Sequence, residues 1–348
     1  MKVAIATTQV PFISGGAEIL TNDLRNELLK RDIKAEIVSL PFKWYPSETL
    51  INSMLMGRML DLTEVNGEKI DAVIAMKFPA YYLKHDNKVI WLMHQHRQAY
   101  DLWGTHFSDI FFWNDGNFIR NSIIKNDNAF LGEARKKFTI AGNVTKRLKK
   151  YNDIDAVTLY PPPRNYHELH CTGYENFIFC PSRIDEMKRQ RLLVESAIYL
   201  KSDTTIYIAG SGSEREIAYL KDLIKKNGLV NRVKLLGFIS EEEKIEYYAR
   251  CLCVYFGAYD EDYGYITLEA FFSKKPIIVH TDAGAPLEFV EDKNNGFVVE
   301  PSAISVAEKI DELARDKKRA SNMGEDGYKT VIEKNVNWDY IIKRLLGK

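Results

Sequence analysis

Short apolar runs rich in β-branched and aromatic residues alternate along the chain with longer segments whose apolar residues recur at helical spacing. The helical pattern is clear in Ala17–Lys30, and in Val144–Tyr151 three apolar residues share one face. Because the apolar runs are too far apart for hairpins, they predict a parallel sheet with helical crossovers. The predicted strands of the first half are Lys2–Thr7, Ala35–Ser39, Ala72–Ala75, Val89–His94, Phe138–Ala141 and Ala156–Leu159.

Three consecutive prolines, Pro161–Pro163, end this series, since proline cannot donate to a sheet ladder. We interpret Pro161–Glu175 as a linker. A second series and a last helix, Trp338–Leu346, follow; its strands are Phe177–Cys180, Thr205–Ala209, Val233–Leu236, Leu252–Phe256 and Ile277–His280. The pattern predicts an α/β fold of two Rossmann-like, doubly wound parallel-sheet domains facing each other across a cleft. Their predicted extents are residues 1–165 and 176–330, with residues 331–348 packing back toward the first domain.

Composition narrows the class of protein. The 348 residues contain 48 basic and 48 acidic side chains and are 45% hydrophobic, which excludes a disordered chain and argues against a nucleic-acid partner. The first residues lack a leader-like apolar core, and no apolar stretch approaches the length of a membrane span. We therefore expect a cytoplasmic protein. The four cysteines have no CxxC spacing and are predicted to be buried free thiols: Cys171, Cys180, Cys251 and Cys253.

Charge is distributed unevenly between the halves. Residues 1–165 hold 22 basic and 18 acidic side chains, a net charge of +4, so the remainder, with 26 and 30, has a net charge of −4. The basic residues cluster in Arg135–Lys137 and Lys146–Lys150. This cluster indicates either solvated helix faces, the interpretation we favour, or weak peripheral contact of the N-terminal domain with anionic lipid at the inner face of the membrane.

A double glycine, Gly15-Gly16, follows the first predicted strand within Ser14–Glu18. Glycines there let backbone N–H groups at a helix N-terminus approach a phosphate, although a simple tight turn explains them equally well. The spacing GxGxxG is absent, and Ala209–Gly212 also lacks the third glycine. A nicotinamide-dinucleotide site is therefore not indicated.

Two cations, Arg183 and Lys188, directly follow the predicted strand Phe177–Cys180. Ligands of doubly wound sheets bind at the carboxyl ends of the strands, where two cations can neutralise a diphosphate. The alternative is a solvated loop in which they pair with Asp185 and Glu186.

Two carboxylates, Glu261 and Glu269, flank a glycine at the end of another predicted strand. Gly264 permits a tight loop, and Tyr265–Thr267 would begin a helix whose first N–H groups face phosphate oxygens. Carboxylates also pair well with the vicinal hydroxyls of a sugar or a ribose. The alternative is an ordinary helix N-terminus with carboxylates favoured by its dipole.

His94 and His96 come at the end of the strand predicted from Val89. A histidine there can hydrogen-bond sugar hydroxyls, and we favour His94; a capping or core role is the alternative for each. The pair could also bind a metal, but no third ligand is evident nearby, so none is expected.

In order and spacing, these motifs resemble those of retaining glycosyltransferases of the GT-B fold, family four, the glycosyl transferases group 1. Glu261 and Glu269 are similar to that family's E-x7-E signature, Arg183 and Lys188 to its Arg-x4-Lys pair, and Gly15-Gly16 to its first glycine-rich loop. Pro286–Glu288 resembles the family's proline-glutamate segment, and Gly296–Val299 resembles its closing strand. The resemblance extends over nearly the whole chain.

The resemblance implies a nucleotide-sugar site on the second domain. It assigns ribose binding to Glu269, donor-sugar contact to Glu261 and diphosphate binding to Arg183 and Lys188. It also implies an active-site histidine, His94. It further implies that backbone groups bind two other parts of the nucleotide. The distal phosphate would be bound by Gly264, Tyr265, Ile266 and Thr267, and the base by Phe238 and Ile239. The chain departs from the family where Tyr265 adds bulk beside the sugar.

The resulting prediction is a retaining hexosyltransferase that moves a sugar from a nucleotide-diphosphate donor to a saccharide or lipid-linked glycan in cell-surface polysaccharide synthesis, with no cofactor or metal. UDP, GDP and ADP all remain open as the nucleotide. Two alternatives are a sugar-nucleotide 2-epimerase of the same fold and a non-catalytic two-domain sugar-binding protein. The epimerase would act without an acceptor, and the binding protein would not turn over.

Overall fold

A computed structural model describes residues 1–13 and 15–347. The chain divides into two compact units. The first comprises Met1–Arg164 and Asn337–Lys348, and the second comprises Asn165–Val336. The boundary falls directly after the proline run Pro161–Pro163, which no strand includes.

The first unit is built on a six-stranded parallel sheet of order β2-β1-β5-β6-β7-β8. Its central strands are buried from end to end, which explains the continuous apolar runs Ala72–Ala75 and Val89–Leu92 in the sequence. A separate antiparallel hairpin of two short strands precedes β5. The strands of this unit are β1 (Lys2–Gln9), β2 (Lys34–Pro41), β3 (Glu64–Val65), β4 (Glu68–Lys69), β5 (Ala72–Ala75), β6 (Lys88–Leu92), β7 (Lys136–Thr139) and β8 (Val157–Thr158).

The α-helices of the first unit's described residues are α1 (Gly16–Leu29), α2 (Ser47–Met59), α3 (Gly116–Gly132), α4 (Gly142–Asn152) and, from the last residues of the chain, α11 (Trp338–Leu346). The last of these docks through Trp338, whose ring meets that of Trp91 edge-on at 6.1 Å between centroids. Lys136 Nζ donates to the Arg344 carbonyl at 3.2 Å. The C-terminal helix is thus part of the first unit, although 172 residues of the second unit separate it from the rest.

The second unit has its own six-stranded parallel sheet, of order β11-β10-β9-β12-β13-β14. Its strands are β9 (Phe177–Pro181), β10 (Thr205–Ala209), β11 (Val233–Gly237), β12 (Cys253–Phe256), β13 (Ile277–His280) and β14 (Gly296–Val299). The helices are α5 (Gln190–Ser196), α6 (Glu214–Lys226), α7 (Glu241–Arg250), α8 (Tyr265–Phe272), α9 (Ala303–Arg315) and α10 (Lys317–Glu333). The strand order reverses between β9 and β12, and this is the position at which doubly wound sheets bind ligands.

The predicted α/β fold with two Rossmann-like parallel sheets is confirmed. Each predicted strand overlaps an observed one, with ends displaced by at most two residues. One displacement matters for the site: β6 ends at Leu92, so His94 lies beyond the strand and not at its end as predicted.

The cysteine prediction needs one correction. All four cysteines are free thiols, and three are buried in or beside β9 and β12. Cys171 is only half-buried, because it lies in the segment that precedes β9 and its thiol contacts the Gly173 carbonyl at 3.8 Å.

Candidate active site

The predicted cations follow β9, where the chain continues alongside the extension of β10. Ser182 N donates to the Ala209 carbonyl at 3.0 Å and Ile184 N to that of Ser211 at 2.8 Å. These bonds hold Arg183 at the strand-end edge of the sheet, where its side chain is 69% exposed and 3.5 Å from Asp185. Arg183 therefore makes the weak surface pair that the alternative interpretation expected, and its guanidinium remains largely in solvent.

Lys188 behaves differently from Arg183. Its side chain is only 19% exposed, lies over the Phe256 ring at 5.3 Å and forms an ion pair with Glu261 Oε2. The structure thus brings two predicted site residues into direct contact, although 73 positions separate them in the chain. Lys188 does not pair with Asp185 or Glu186 as the alternative interpretation expected; in the described residues its carboxylate partner is Glu261.

The backbone of Glu261 is fixed by the loop that follows β13. Its N–H donates to the Ala283 carbonyl at 2.8 Å, and its carbonyl accepts from Ala285 N at 3.0 Å. Gly284, between them, has φ +77°, and a Cβ there would lie 2.7 Å from the Glu261 carbonyl oxygen. Only glycine satisfies both requirements, so the position of the carboxylate depends on Gly284.

Gly264 starts helix α8 and is the second glycine that the site requires. It has φ +80°, and an added Cβ would lie 2.8 Å from the Phe256 ring. The helix begins immediately afterwards at Tyr265, whose ring packs edge-on against that of Tyr263 at 4.9 Å. The first-turn N–H groups of an α-helix lack intrahelical acceptors and carry partial positive charge. The side chain of Thr267 is buried there, and its hydroxyl has no hydrogen-bond partner among residues 1–13 and 15–347.

Glu269 lies in the second turn of α8 and is 8% exposed. Its Oε2 accepts from the Tyr248 hydroxyl at 2.7 Å and its Oε1 from Lys244 Nζ at 3.1 Å, both from α7. Burial, followed by the Glu269 charge, raises the pKa of Tyr248, which keeps this hydroxyl a donor. Sequence reasoning missed both partners. Their spacing of four residues, which places a lysine and a tyrosine on one helix face, was the available signal.

Phe238 and Ile239 occupy the loop between β11 and α7. Phe238 is 84% exposed. Ser240, the next residue, caps α7: its hydroxyl accepts from Glu243 N at 3.1 Å, and its own N–H donates to the Glu243 carboxylate at 2.8 Å. This reciprocal cap fixes where the loop ends and therefore where Lys244 and Tyr248 begin.

Arg189 and Asp282 were also missed from the sequence. The Arg189 guanidinium donates from both terminal nitrogens to the two Asp282 oxygens, each at 2.6 Å. This bidentate pair, beside Lys188, links the loop after β9 to the loop after β13. Arg189 has φ +52°, an unfavourable conformation for a residue with a Cβ.

In the first unit, Gly15 caps α1 and Gly16 is its first residue. Gly15 N donates to the Glu18 carboxylate at 2.9 Å, and Glu18 pairs with Lys77 at 3.3 Å. One N–H of the predicted phosphate loop therefore already bonds to a carboxylate of the chain. Ser14, named in the same motif, lies outside the described residues.

The two histidines have different surroundings. His96 packs against the rings of Phe42 and Phe78, at 6.1 and 5.1 Å between centroids, and its Nε2 is buried with no hydrogen-bond partner in the described part of the chain. Burial, assisted by the neighbouring His94, lowers the pKa of His96 to about 4. His94 is half-buried and its Nδ1 is 2.6 Å from the Gln95 carbonyl, which makes Nδ1 the donor. These surroundings favour His94 over His96 as the histidine that could hydrogen-bond a sugar hydroxyl.

The basic cluster is partly neutralised within its own unit. Arg147 is buried and pairs with Asp101 at 3.2 Å. Lys149 pairs with Asp153 at 2.7 Å and with Asp155 at 3.1 Å. Among residues 1–13 and 15–347, every helix is too short or too polar to span a bilayer. Nor do three His, Cys, Asp or Glu side chains of the described segments come together as they would around a metal ion.

Comparison with known families identifies the second unit. Residues 170–330 match the family model described as "Glycosyl transferases group 1". The second unit belongs to this family. The matched residues include all the predicted site residues of the second unit that carry charge, together with the glycine that starts α8: Arg183, Lys188, Glu261, Glu269 and Gly264.

Curated relatives agree with this assignment. Human alpha-1,3/1,6-mannosyltransferase ALG2 is 26% identical over 210 residues, 53% of this chain and 50% of the relative. The poly(ribitol-phosphate) alpha-N-acetylglucosaminyltransferase of Staphylococcus aureus is 30% identical over 183 residues, 51% of this chain and 35% of the relative. The chain thus spans about half or less of the length of these relatives.

A solved structure extends the similarity in fold to the first unit. Anabaena HepE in complex with UDP-glucose superposes with a TM-score of 0.71 at 16% identity, covering 100% of this chain and 98% of that one. At this identity the comparison establishes the fold alone. It confirms the predicted GT-B class for the chain that carries the group 1 domain.

Proposed function

We propose that this chain transfers a hexose from a nucleoside diphosphate sugar to a hydroxyl group of a saccharide or lipid-linked glycan, with retention at the anomeric carbon. The observation that carries the proposal is the contact between Lys188 and Glu261 beside the N-terminus of α8. A cation, a carboxylate and a helix N-terminus together suit a diphosphate joined to a sugar, because phosphate needs positive charge and sugar hydroxyls need an acceptor.

The nucleotide part of the donor would lie on the second unit. Arg183 and Lys188, with the first-turn amides from Tyr265 to Thr267, would bind the diphosphate, and the exposed guanidinium of Arg183 is accessible to a ligand. Glu269 would accept hydrogen bonds from the ribose hydroxyls. Backbone groups of Phe238 and Ile239 would contact the base.

The sugar part would meet Glu261 and Tyr265, and the acceptor would bind on the first unit. His94, with Nδ1 donating to a backbone carbonyl, presents Nε2 as the nitrogen that can accept from a sugar hydroxyl. The Gly15–Gly16 loop would contribute its remaining first-turn amides, since Gly15 N already bonds to Glu18.

For the chemical step we propose front-face displacement. The bond from the anomeric carbon to the β-phosphate oxygen breaks, and a bond from the acceptor oxygen to the same face of that carbon forms. The acceptor proton passes to the departing phosphate oxygen, so the products are the glycoside and the nucleoside diphosphate. The residues contribute electrostatically: Lys188, Arg183 and the α8 N-terminus stabilise charge that develops on the diphosphate.

The comparisons support a nucleoside diphosphate sugar as the donor, and the relatives differ in the sugar that their names give. ALG2 is named as a mannosyltransferase, the S. aureus relative as an N-acetylglucosaminyltransferase, and HepE was solved with UDP-glucose. We further propose a role in cell-surface polysaccharide synthesis at the cytoplasmic face of the membrane, where the exposed Lys146 and Lys150 would make weak contact with anionic lipid.

The test is a donor panel of UDP-glucose, UDP-N-acetylglucosamine and GDP-mannose with alkyl glycoside acceptors. Nucleoside diphosphate release and the anomeric configuration of the product are followed by NMR. Lys188→Met should lower release by about a hundredfold, the usual effect of losing one charged stabiliser of a developing anion. Lys226→Met is the matched control, because Lys226 forms an exposed ion pair with Asp222 at the far end of α6.

Three results would contradict the proposal. An inverted product would exclude retention, and an altered sugar nucleotide formed without acceptor would favour the epimerase. Binding of nucleotide sugars with no turnover under any of these conditions would favour the non-catalytic sugar-binding protein.

A further inference from the structure

A polar cluster of the second unit surrounds Glu269 and contains a lysine that no motif assigned. Lys244 and Tyr248 project from the same face of α7 toward the Glu269 carboxylate on α8. The side chains of Lys244 and Glu269 are 21% and 11% exposed. A carboxylate this enclosed needs compensating donors, because burying an unpaired charge is costly. Lys244 supplies the positive charge, and Tyr248 supplies a neutral donor.

The two donors engage different oxygens of Glu269. Lys244 Nζ is 3.1 Å from Oε1, and the Tyr248 hydroxyl is 2.7 Å from Oε2. An ionised carboxylate has about four lone-pair positions, two on each oxygen. With one protein donor on each oxygen, a second lone pair on each can accept from a ligand. Two such acceptors side by side match two neighbouring hydroxyls, and the ribose of a ribonucleoside presents this pair.

Lys244 is held in place from its other side as well. Its ammonium pairs with Glu241 at 2.9 Å, one turn earlier on α7, where Ser240 caps the helix. Burial alone would lower the pKa of Lys244, but the two carboxylates outweigh it and the pKa lies above its usual value. The lysine is therefore a fixed cation and not a mobile surface side chain.

We infer that Lys244 is a positioning residue for the donor site: it holds the Glu269 carboxylate in the orientation that accepts from both ribose hydroxyls, and so makes the site selective for ribonucleoside over deoxyribonucleoside diphosphate donors. This inference rests on the proposed function, in which Glu269 binds the ribose. Lys244 acts through Glu269 and need not touch the ligand.

The experiment compares ligands that differ only in the hydroxyls. Dissociation constants are measured by calorimetry for UDP, GDP and ADP and for their 2′,3′-dideoxy analogues, and the tightest pair is used further. The parent protein should bind the ribonucleotide at least about tenfold more tightly than the dideoxy form, since the dideoxy form cannot make the hydrogen bonds to the charged carboxylate.

Lys244→Met keeps the apolar stem and removes the charge. It should weaken ribonucleotide binding about tenfold and dideoxynucleotide binding less than twofold, so that selectivity is lost while the rest of the site still works. Lys244→Arg retains a donor and should restore part of the selectivity. Lys226→Met, which removes an exposed lysine paired with Asp222, should change neither constant.

Each result decides the inference. Equal weakening of both ligands by Lys244→Met would mean that the lysine acts on the fold or on another part of the nucleotide, and no weakening would mean that Glu269 needs no support; either overturns it. Glu269→Gln distinguishes failure of the ribose assignment from failure of the positioning role of Lys244. Should Glu269→Gln leave the ribose selectivity of the parent intact, the ribose assignment itself fails. Should it abolish the selectivity while Lys244→Met does not, only the role of Lys244 fails.

Discussion

The Arg189 guanidinium and the Asp282 carboxylate form a bidentate pair in which two parallel N–H···O bonds are each 2.6 Å long. The hydrogen bonds from Arg189 lower the pKa of Asp282, so the pair stays ionised at neutral pH. It joins the loop that carries Lys188 to the loop that fixes Glu261. The pair therefore couples the two segments whose side chains meet in the Lys188–Glu261 contact.

Arg189→Ala should lower the rate of sugar transfer more than it lowers stability. Lys188 would lose the neighbouring anchor, and displacement of a charged group by about 1 Å can cost about a hundredfold in rate. Arg191→Ala is the matched control, because Arg191 pairs with Glu216 at 2.9 Å, two positions along the same segment. The measurement is kcat/KM for nucleoside diphosphate release, together with the urea midpoint of each variant.

A double-mutant cycle decides whether Arg189 acts through Asp282. Asp282→Asn should cause a similar loss of rate, and the double variant should be little worse than either single variant. Additive losses would show that the two residues act separately.

Gly284→Ala should destabilise the second unit and weaken nucleotide-sugar binding. The left-handed backbone costs a residue with a Cβ about 1–2 kcal/mol, and contact with the Glu261 carbonyl adds about 1–3 kcal/mol of overpacking. Gly228→Ala is the control, because Gly228 has φ +66° but its Cβ would meet nothing within 4 Å. Urea unfolding should show a larger loss for Gly284→Ala than for Gly228→Ala, and equal losses would contradict the close approach at Glu261.

His96 should make the first unit acid-sensitive. Its pKa of about 4 lies below its ordinary value of about 6.5, so between these values the unfolded chain binds more protons than the folded one. The stabilisation is therefore full above about pH 6.5 and is lost as the pH falls toward 4, by about 3 kcal/mol in total.

His96→Phe should remove this contribution, because phenylalanine keeps an aromatic ring beside Phe42 and Phe78 and does not titrate. The difference in unfolding free energy between this variant and the parent should grow as the pH is lowered from 7 to 4.5. His106→Gln, a change at an exposed histidine, is the control. Parallel pH profiles for parent and His96→Phe would contradict the lowered pKa of His96.

Trp338→Ala should destabilise the first unit, although Trp338 lies near the end of the chain. Its ring is 6% exposed and contacts Trp91. Truncation of a buried tryptophan costs about 3–5 kcal/mol. Tyr340→Ala, on the more exposed side of the same helix, should cost much less. Calorimetry should show that the variant's first unit melts at a lower temperature than the parent's, while the melting temperature of the second unit is unchanged.

The helices, the strands and the positions of the charged motifs could all be predicted from the residue pattern. Apolar runs and helical periodicity are local properties, so strands such as Ala72–Ala75 and the final helix Trp338–Leu346 could be predicted directly. Because parallel strands place their carboxyl ends at one edge, Arg183, Lys188, Glu261 and Glu269 could also be assigned to a common edge of the sheet.

Which side chains contact one another follows from the folded structure and could not be predicted from the residue pattern. The contacts of Lys188 with Glu261, of Arg189 with Asp282 and of Glu269 with Lys244 join residues 25 to 93 positions apart. Such pairs depend on strand order and loop geometry, which no local pattern encodes. The same reason separates His94 from His96: their sequence context is nearly shared, but packing against two aromatic rings encloses the Nε2 of His96 and keeps that imidazole neutral.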